Sequence, residues 1–291
     1  MQAFEYSVAR SVDEATMLLS EKGDQARPLA GGTDLIVQLR IGRRKPHRLV
    51  DIKDVPEANR LAYNTRDGLH LGASVPCHVI YENAAIRQAY PCLIDAVELI
   101  GGIGIQGRAS VGGNLCNAAP SADAIPPLIV LQAMAIVVGP NGTREVPVEQ
   151  FCTAPGQTVL KLGEFLVSLR IPPPERNSGA YYLRFIPRNE MDIAVVGAGV
   201  SVVLDDKKQR FLSARIALAS VAPTPLFVEA AGQCLVGLPI SEDALQSAAN
   251  AAMAAARPIS DMRGTTEYRR HLVGVLTKRA LRGALERARE G

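Results

Sequence analysis

The run Pro172-Pro173-Pro174, followed by Glu175, Arg176 and Asn177, constrains this chain more than any other feature. A proline has no backbone N–H and holds φ near −65°, so three in succession end a helix and cannot sit in a central strand. No regular element crosses such a point. The chain has 291 residues, more than one small domain usually holds, so the break is expected to separate two folding units, 1–175 and 176–291.

On the N-terminal side, Ser11-Val12-Asp13-Glu14 has the form of a capping box. It predicts a helix with Val12, Ala15, Leu18 and Leu19 on one face, stopped by Gly23. Arg27–Ala30 reads as a short strand, Gly31-Gly32 as a tight turn, Thr33-Asp34 as the start of a second helix, and Arg48–Ile52 as another strand. This is a small α/β unit, about 1–56. A second unit, about 57–175, follows. Within it Leu69–Val75 reads as a strand, and 90–100 as a helix with Leu93, Ala96, Val97 and Ile100 aligned. Residues 128–138 read as a buried helix turning into a strand, and 145–151 and 164–172 as strands.

Beyond the prolines come strands with a turn at Asp205-Asp206-Lys207, then helices over 241–256 and 267–288. Ser241 and Asp243 can cap the first; in the second Tyr268, Leu272, Val275 and Leu276 share a face. Strands followed by helices predict an antiparallel sheet with helices to one side.

Composition excludes several classes. Hydrophobic residues at 47% and charged residues at 21% suit a globular protein with a core, and a net charge of +3 makes no case for nucleic acid or an acidic membrane surface. Trp is absent and aromatics are 4%, too few for a base-stacking surface. No long uncharged apolar window suggests a membrane span, and no signal peptide is visible. Cys77, Cys92, Cys116, Cys152 and Cys234 form no C-x-x-C pair. Their spacing argues against a zinc site, a self-contained iron–sulfur cluster or a disulfide framework, and for reduced thiols in a cytoplasm.

Two glycine pairs carry the chemistry. In Ala30–Leu35, Gly31 and Gly32 let the backbone approach a phosphate, with the free amides of the next turn aimed at it. Thr33 can add a hydroxyl; Asp34 would repel a phosphate unless it points away. The alternative is a plain strand–turn–helix corner. In Ser110–Asp123, Gly112 and Gly113 permit close approach, Asn114 and Asn117 offer amide bonds, and Asp123 could accept from a ribose hydroxyl. The alternative is a packing turn. Together the two loops could cradle the two ends of a dinucleotide. Gly102–Gly107 matches G-x-G-x-x-G, but a helical pattern precedes it where a dinucleotide fold needs a strand. His47, His70, His78 and His271 form no metal-spaced pair and read as surface or core histidines. Cys116 reads as a packing residue. Arg269, Arg270, Lys278, Arg279 and Arg282 read as a solvated face of the last helix or, more sharply, as a partner surface.

Four blocks, "AGGTDLIVQLR", "SVGGNLCNAAPSADAIPPL", "RNEMDIAVVG" and "DMRGTTEYRRHL", occur in this order. Together they resemble the FAD-binding medium subunit of the molybdenum hydroxylases, a family that includes carbon monoxide dehydrogenase, xanthine dehydrogenase and quinoline 2-oxidoreductase. The resemblance covers essentially the whole chain. It implies an α+β protein: a two-subdomain FAD-binding domain of the vanillyl-alcohol-oxidase (PCMH) type, then a C-terminal α+β domain of the CO dehydrogenase flavoprotein type, with an antiparallel sheet and helices.

The resemblance also implies a cofactor site. Leu29, Ala30, Gly31, Gly32, Thr33, Asp34 and Leu35 would wrap the FAD pyrophosphate through backbone amides. Ile100 and Gly101 would flank the flavin cavity. Ser110, Gly112, Gly113, Asn114, Cys116, Asn117, Ala122 and Asp123 would line the second loop, and Leu166 would pack near the adenine. Arg184 stands where relatives often carry Lys near the cofactor, an exchange that changes the shape of the charge. Asp192 is expected to order structure.

No side chain is expected to be a catalyst, and no metal is expected on this chain. In the implied assembly a large molybdopterin subunit oxidises substrate, and a small iron–sulfur subunit carries two [2Fe–2S] clusters. The FAD of this chain then passes electrons to an external acceptor. A dimer of heterotrimers is the implied assembly, without nucleic acid or an integral membrane segment. Some relatives carry extra cysteines for a further cluster; this chain lacks them, so FAD alone is expected here. The alternatives are a stand-alone FAD-dependent oxidoreductase and a scaffold that has lost flavin.

Overall fold

Ser11 opens the first helix as its sequence predicts, in a computed structural model that describes residues 2–290. Its Oγ accepts from the Glu14 amide at 3.1 Å. The N-terminal unit runs β1 (Glu5–Val8), α1 (Val12–Lys22), β2 (Ala26–Leu29), α2 (Leu35–Arg40), β3 (Arg48–Asp51) and α3 (Pro56–Asn59). Ala15 and Leu19 of α1 are buried, and Gly23 ends the helix at φ 54°. The three strands pair in parallel in the order β1-β3-β2. Helix α2 starts at Leu35 with Asp34 as its N-cap residue, though the Asp34 side chain makes no capping bond; Thr33 and Asp34 form the turn that leads into it.

The second unit begins with β4 (Leu61–Asn64) and β5 (Gly68–Gly72). Helices α4 (Cys77–Glu82), α5 (Ala84–Ala89), α6 (Pro91–Val97), α7 (Ile103–Gln106), α8 (Val111–Asn117) and α9 (Ile125–Val130) follow. The chain then forms β6 (Met134–Gly139), β7 (Gly142–Pro147), the small hairpin β8 (Cys152–Ala154) and β9 (Gln157–Thr158), and β10 (Phe165–Ile171). The sheet is antiparallel, ordered β4-β5-β10-β6-β7. Strand β10 is buried almost throughout because both of its faces are covered. Phe165 and Val167 face the core under α1, while Leu166, Leu169 and Ile171 face the larger core under the helices. A bulge between Leu166 and Ser168 makes that pattern possible, since it restores the face that plain alternation would have lost.

Two readings of this region need correction. Residues 110–117 are not a loop: Ser110 caps α8 through the Gly113 amide at 3.1 Å, and Ala118 ends it at φ 48°. Two glycines are tolerated inside the helix because packing demands one of them. A Cβ on Gly112 would stand 2.5 Å from the Ala73 carbonyl oxygen. The strand expected over 145–151 stops at Pro147, and Val148–Gln150 coil into a 3-10 turn.

After the prolines the chain forms β11 (Ser178–Phe185), β12 (Val196–Leu204), β13 (Phe211–Ala219) and β14 (Leu226–Phe227), an antiparallel sheet in that order. Helices α10 (Glu229–Gln233), α11 (Glu242–Ala255) and α12 (Thr266–Glu290) complete it. Ser241 caps α11 through the Ala244 amide. The face that α12 buries is Leu272, Val273, Leu276, Ala280, Leu281 and Ala284. The expected face is therefore rotated: Tyr268 is exposed and Val275 half-buried. Arg269, expected on the solvated face, is buried and donates to the Val195 carbonyl and to Asp261, each at 2.7 Å. Lys278 and Arg282 are engaged by Gln246 and Glu242 of α11.

The two sides of the proline break are locked together. Arg287 of α12 grips both oxygens of Asp95 in α6, at 2.6 and 2.8 Å, and Asp95 also accepts from the Tyr182 amide. Ala180, Tyr182 and Ala217 belong to the same buried cluster as the helices α4, α5, α6, α8 and α9. Among the described residues no helix is long and apolar enough to cross a membrane.

Candidate functional site

A cleft of about 480 Å³ runs between the parallel N-terminal unit and the antiparallel second unit. That volume suits a cofactor-sized ligand. Leu29, Ala30, Gly31, Gly32, Thr33, Asp34 and Leu35 form one wall. Ser110, Gly112, Gly113, Asn114, Cys116 and Asn117 line it from α8, with Ile100 and Leu166 also on its surface. Residues far apart in sequence, taken from both glycine pairs, thus meet in one cavity. Gly101, Ala122, Asp123 and Arg184 are not on its walls.

The first wall is shaped by what its glycines touch. A Cβ on Gly31 would lie 1.8 Å from the Arg108 carbonyl oxygen, so backbone packs directly on backbone there. Gly32 has φ +74°, which L side chains rarely adopt. The chain between β2 and α2 therefore leaves its hydrogen-bonding pattern: among the described residues, the amides of Gly31 to Leu35 donate to no protein acceptor. Successive unpaired amides in a turn make an anion-binding concavity. Asp34 is the one acid in this turn. Its side chain sits at the surface, yet neighbouring atoms displace enough water to push its carboxyl above the ordinary value.

The second wall is less uniform. Gly112 is fixed by Ala73, whereas a Cβ on Gly113 would meet only the Ser110 oxygen, at 3.0 Å. Gly113 therefore leaves room on the cleft side. Asn114 accepts from the Ala124 amide at 3.2 Å, holding the chain after α8 in place. Burial pushes the Cys116 thiol up to about 12, so it stays protonated and packs.

Sequence reasoning missed Gln38 and Arg44. Asn117 accepts from Gln38 Nε2 at 2.9 Å, and Gln38 Oε1 accepts from Arg44 Nε at 2.7 Å. Arg44 also reaches the Gly156 carbonyl at 3.5 Å. This chain of bonds ties the two walls together. Gln38 lies one helical turn beyond Asp34, a spacing that could have flagged it. Nothing local separates Arg44 from its basic neighbours Arg40, Arg43 and Lys45.

Asp123 turns away from the cleft toward the C-terminal sheet. It accepts from Tyr182 Oη at 2.7 Å and from Arg184 Nη1 at 2.6 Å. All three are nearly inaccessible to water; burial pushes the Asp123 carboxyl up while Arg184 and Tyr182 pull it down. Arg184 Nε is buried with no partner. Asp192 lies between Arg188 and Arg263 and accepts from the Ile193 amide at 2.8 Å; against the opposing effect of burial, that amide and then the two arginines hold its carboxyl below the usual range.

Comparison with known proteins matches this architecture along its length. The family described as "FAD binding domain in molybdopterin dehydrogenase" matches residues 2–174, and the "CO dehydrogenase flavoprotein C-terminal domain" matches residues 181–284. The carbon monoxide dehydrogenase medium chain of Hydrogenophaga pseudoflava is 32% identical over 284 residues, covering 98% of each chain. A putative xanthine dehydrogenase FAD-binding subunit of Escherichia coli is 30% identical, covering 97% of this chain and 96% of the other. The reconstituted CO dehydrogenase from Oligotropha carboxidovorans superposes with a TM-score of 0.93 at 32% identity, over 98% of this chain and 99% of that one. Quinoline 2-oxidoreductase from Pseudomonas putida 86 superposes at 0.90 with 27% identity, over 99% and 98%.

Proposed function

The chain belongs to the FAD-binding subunits of the molybdopterin dehydrogenases, and on that premise we propose how its own residues hold the cofactor and serve the electron path. FAD lies along the cleft. The amides of Gly31 to Leu35 take the diphosphate, and the carriage of five unpaired donors on one turn is the observation that carries this reading. Ser110, Gly113, Asn114 and Asn117 follow the cofactor on the opposite wall, with Gly113 leaving volume where a side chain would intrude. Leu166 packs by the adenine and Ile100 by the flavin. Gly101, Ala122, Asp123 and Arg184 act from behind these walls.

When bound, FAD supplies reversible electron transfer, chemistry that belongs to the cofactor. The chain's residues bind it, orient it and exclude water; none of them needs to move a proton. Residues 1–175 form the FAD unit, built from about 1–56 and 57–175, and 176–291 form a second unit that buttresses it through Asp95, Arg287 and the Asp123 cluster. Electrons arrive from [2Fe–2S] clusters on a small partner subunit, after oxidation of a substrate at a molybdopterin site on a large one, and leave to an external acceptor. The partners assemble as a dimer of heterotrimers in the cytoplasm.

Purification of the tagged chain from its host, followed by an absorbance spectrum, tests this. Two co-purifying partners, flavin absorption and iron–sulfur shoulders are expected. A solitary yellow protein would point to a stand-alone oxidoreductase, and a colourless one would refute the flavin site.

A further inference from the structure

The cleft contains a cation without a counter-ion. Arg44 is partly buried on its wall, and the charges that act on it are those of Arg27 and Arg43, both positive. Among the described residues no carboxylate pairs with any of the three. Of the carboxylates on the cleft wall, Glu164 is held by Arg144 at 2.7 Å, and Asp24 and Asp34 form no ion pair with Arg44. A guanidinium withdrawn from water beside like charges is unfavourable until an anion joins it; burial and the two neighbouring arginines accordingly push its pKa down.

Arg44 is also held in a fixed orientation. Its Nε donates to Gln38 Oε1 at 2.7 Å and its Nη2 to the Gly156 carbonyl. Gln38 is in turn fixed by Asn117, on the far wall. Two anchored nitrogens set the plane of the guanidinium and leave Nη1 and the second Nη2 hydrogen free. A planar fork with free donors matches a phosphoryl group, which offers several charged acceptors, better than it matches a neutral ring.

We infer that Arg44, braced by Gln38 and Asn117, is the counter-charge for the diphosphate of the bound dinucleotide, and that it makes the cleft select phosphorylated over unphosphorylated flavin. This deepens the FAD reading and rests on it. Because Gln38 bridges to Asn117, the cation is correctly aimed only when both walls are in register.

Titration of the flavin-stripped full chain with ADP, adenosine, riboflavin and FAD at low and high salt, by calorimetry, tests the inference. Arg44→Gln is expected to weaken ADP and FAD by about tenfold or more, the usual effect of losing a charged hydrogen bond. It should leave adenosine and riboflavin within about twofold and flatten the salt dependence of ADP binding. Arg44→Lys should recover part of the loss, since it restores charge without the fork. Unchanged ADP affinity in Arg44→Gln would overturn the inference while FAD binding by the unaltered chain stands. Equal losses for ADP, adenosine and riboflavin would also overturn it, by marking Arg44 as merely structural. An unaltered chain that binds neither FAD nor ADP would remove the cofactor site itself.

Discussion

Replacing Gly31 by alanine should cost stability before it costs chemistry. The new Cβ would stand 1.8 Å from the Arg108 oxygen and 2.5 Å from its carbonyl carbon, where real Cβ contacts stay above 3.0 Å. The obstruction is backbone and cannot rotate away. Nor is it loose: Arg108 and Ala109 both donate to the Ile105 carbonyl, at 2.9 and 2.8 Å, and the Ala109 carbonyl accepts from Cys77 at 2.8 Å. The segment must therefore retreat by about 1.2 Å, from 1.8 to 3.0 Å, and strain those bonds. Overpacking costs about 1–3 kcal/mol and each weakened buried bond about 1 more, so a loss of about 3 kcal/mol is expected. At about 2–4 °C per kcal/mol for a chain of this size, the first thermal transition should fall by roughly 6–12 °C. The comparison is Gly113→Ala, whose Cβ meets only the Ser110 oxygen at 3.0 Å and should shift that transition by less than about 2 °C. Differential scanning calorimetry of both flavin-free chains decides it. Equal melting of Gly31→Ala and the unaltered chain would refute the claim that backbone packing, rather than ligand, requires this glycine.

Other outcomes follow from particular contacts. Gly113→Val should leave the apo melt nearly intact yet abolish retention of flavin through gel filtration, because its side chain enters the cleft instead of the core. Asp123→Ala strands the Arg184 charge, whose side chain is 5% exposed, and should cost about 3–5 kcal/mol in urea unfolding; Arg184→Met in the same chain should recover much of that loss. Arg287→Ala should cost about 1–3 kcal/mol, and a double-mutant cycle with Asp95→Asn should show that the two losses are not additive. Burial, helped by Arg60 and Arg170, holds the His70 pKa below its ordinary 6.5. The unfolded chain therefore takes up that proton first, and stability should fall as pH drops below about 6.5. His70→Gln should lessen that slope in a pH series of melting curves.

The sequence alone determined the punctuation of this protein. Ser11, Gly23, Ser241 and the three prolines act within a few residues of themselves, through caps and a missing N–H, so their effects are readable in place. The two glycine pairs and their four-block resemblance likewise pointed to one cofactor family and to residues on both walls of the cleft. Local pattern failed where a neighbour distant in sequence decides the outcome. Glycine pairs suggest open loops, but only the approach of Ala73 shows that Gly112 lies in a packed helix, and only Arg108 shows what excludes a side chain at Gly31. Arg269 carries a charge that sequence places in water; the carbonyl of Val195 and the carboxylate of Asp261 allow it to be buried. Gln38 and Asn117 stand 79 residues apart, and Asp123 and Arg184 stand 61 apart. Periodicity and spacing report which face of an element is apolar. Which polar groups meet across those faces depends on chain paths that close over such separations, and that was settled by the tertiary structure.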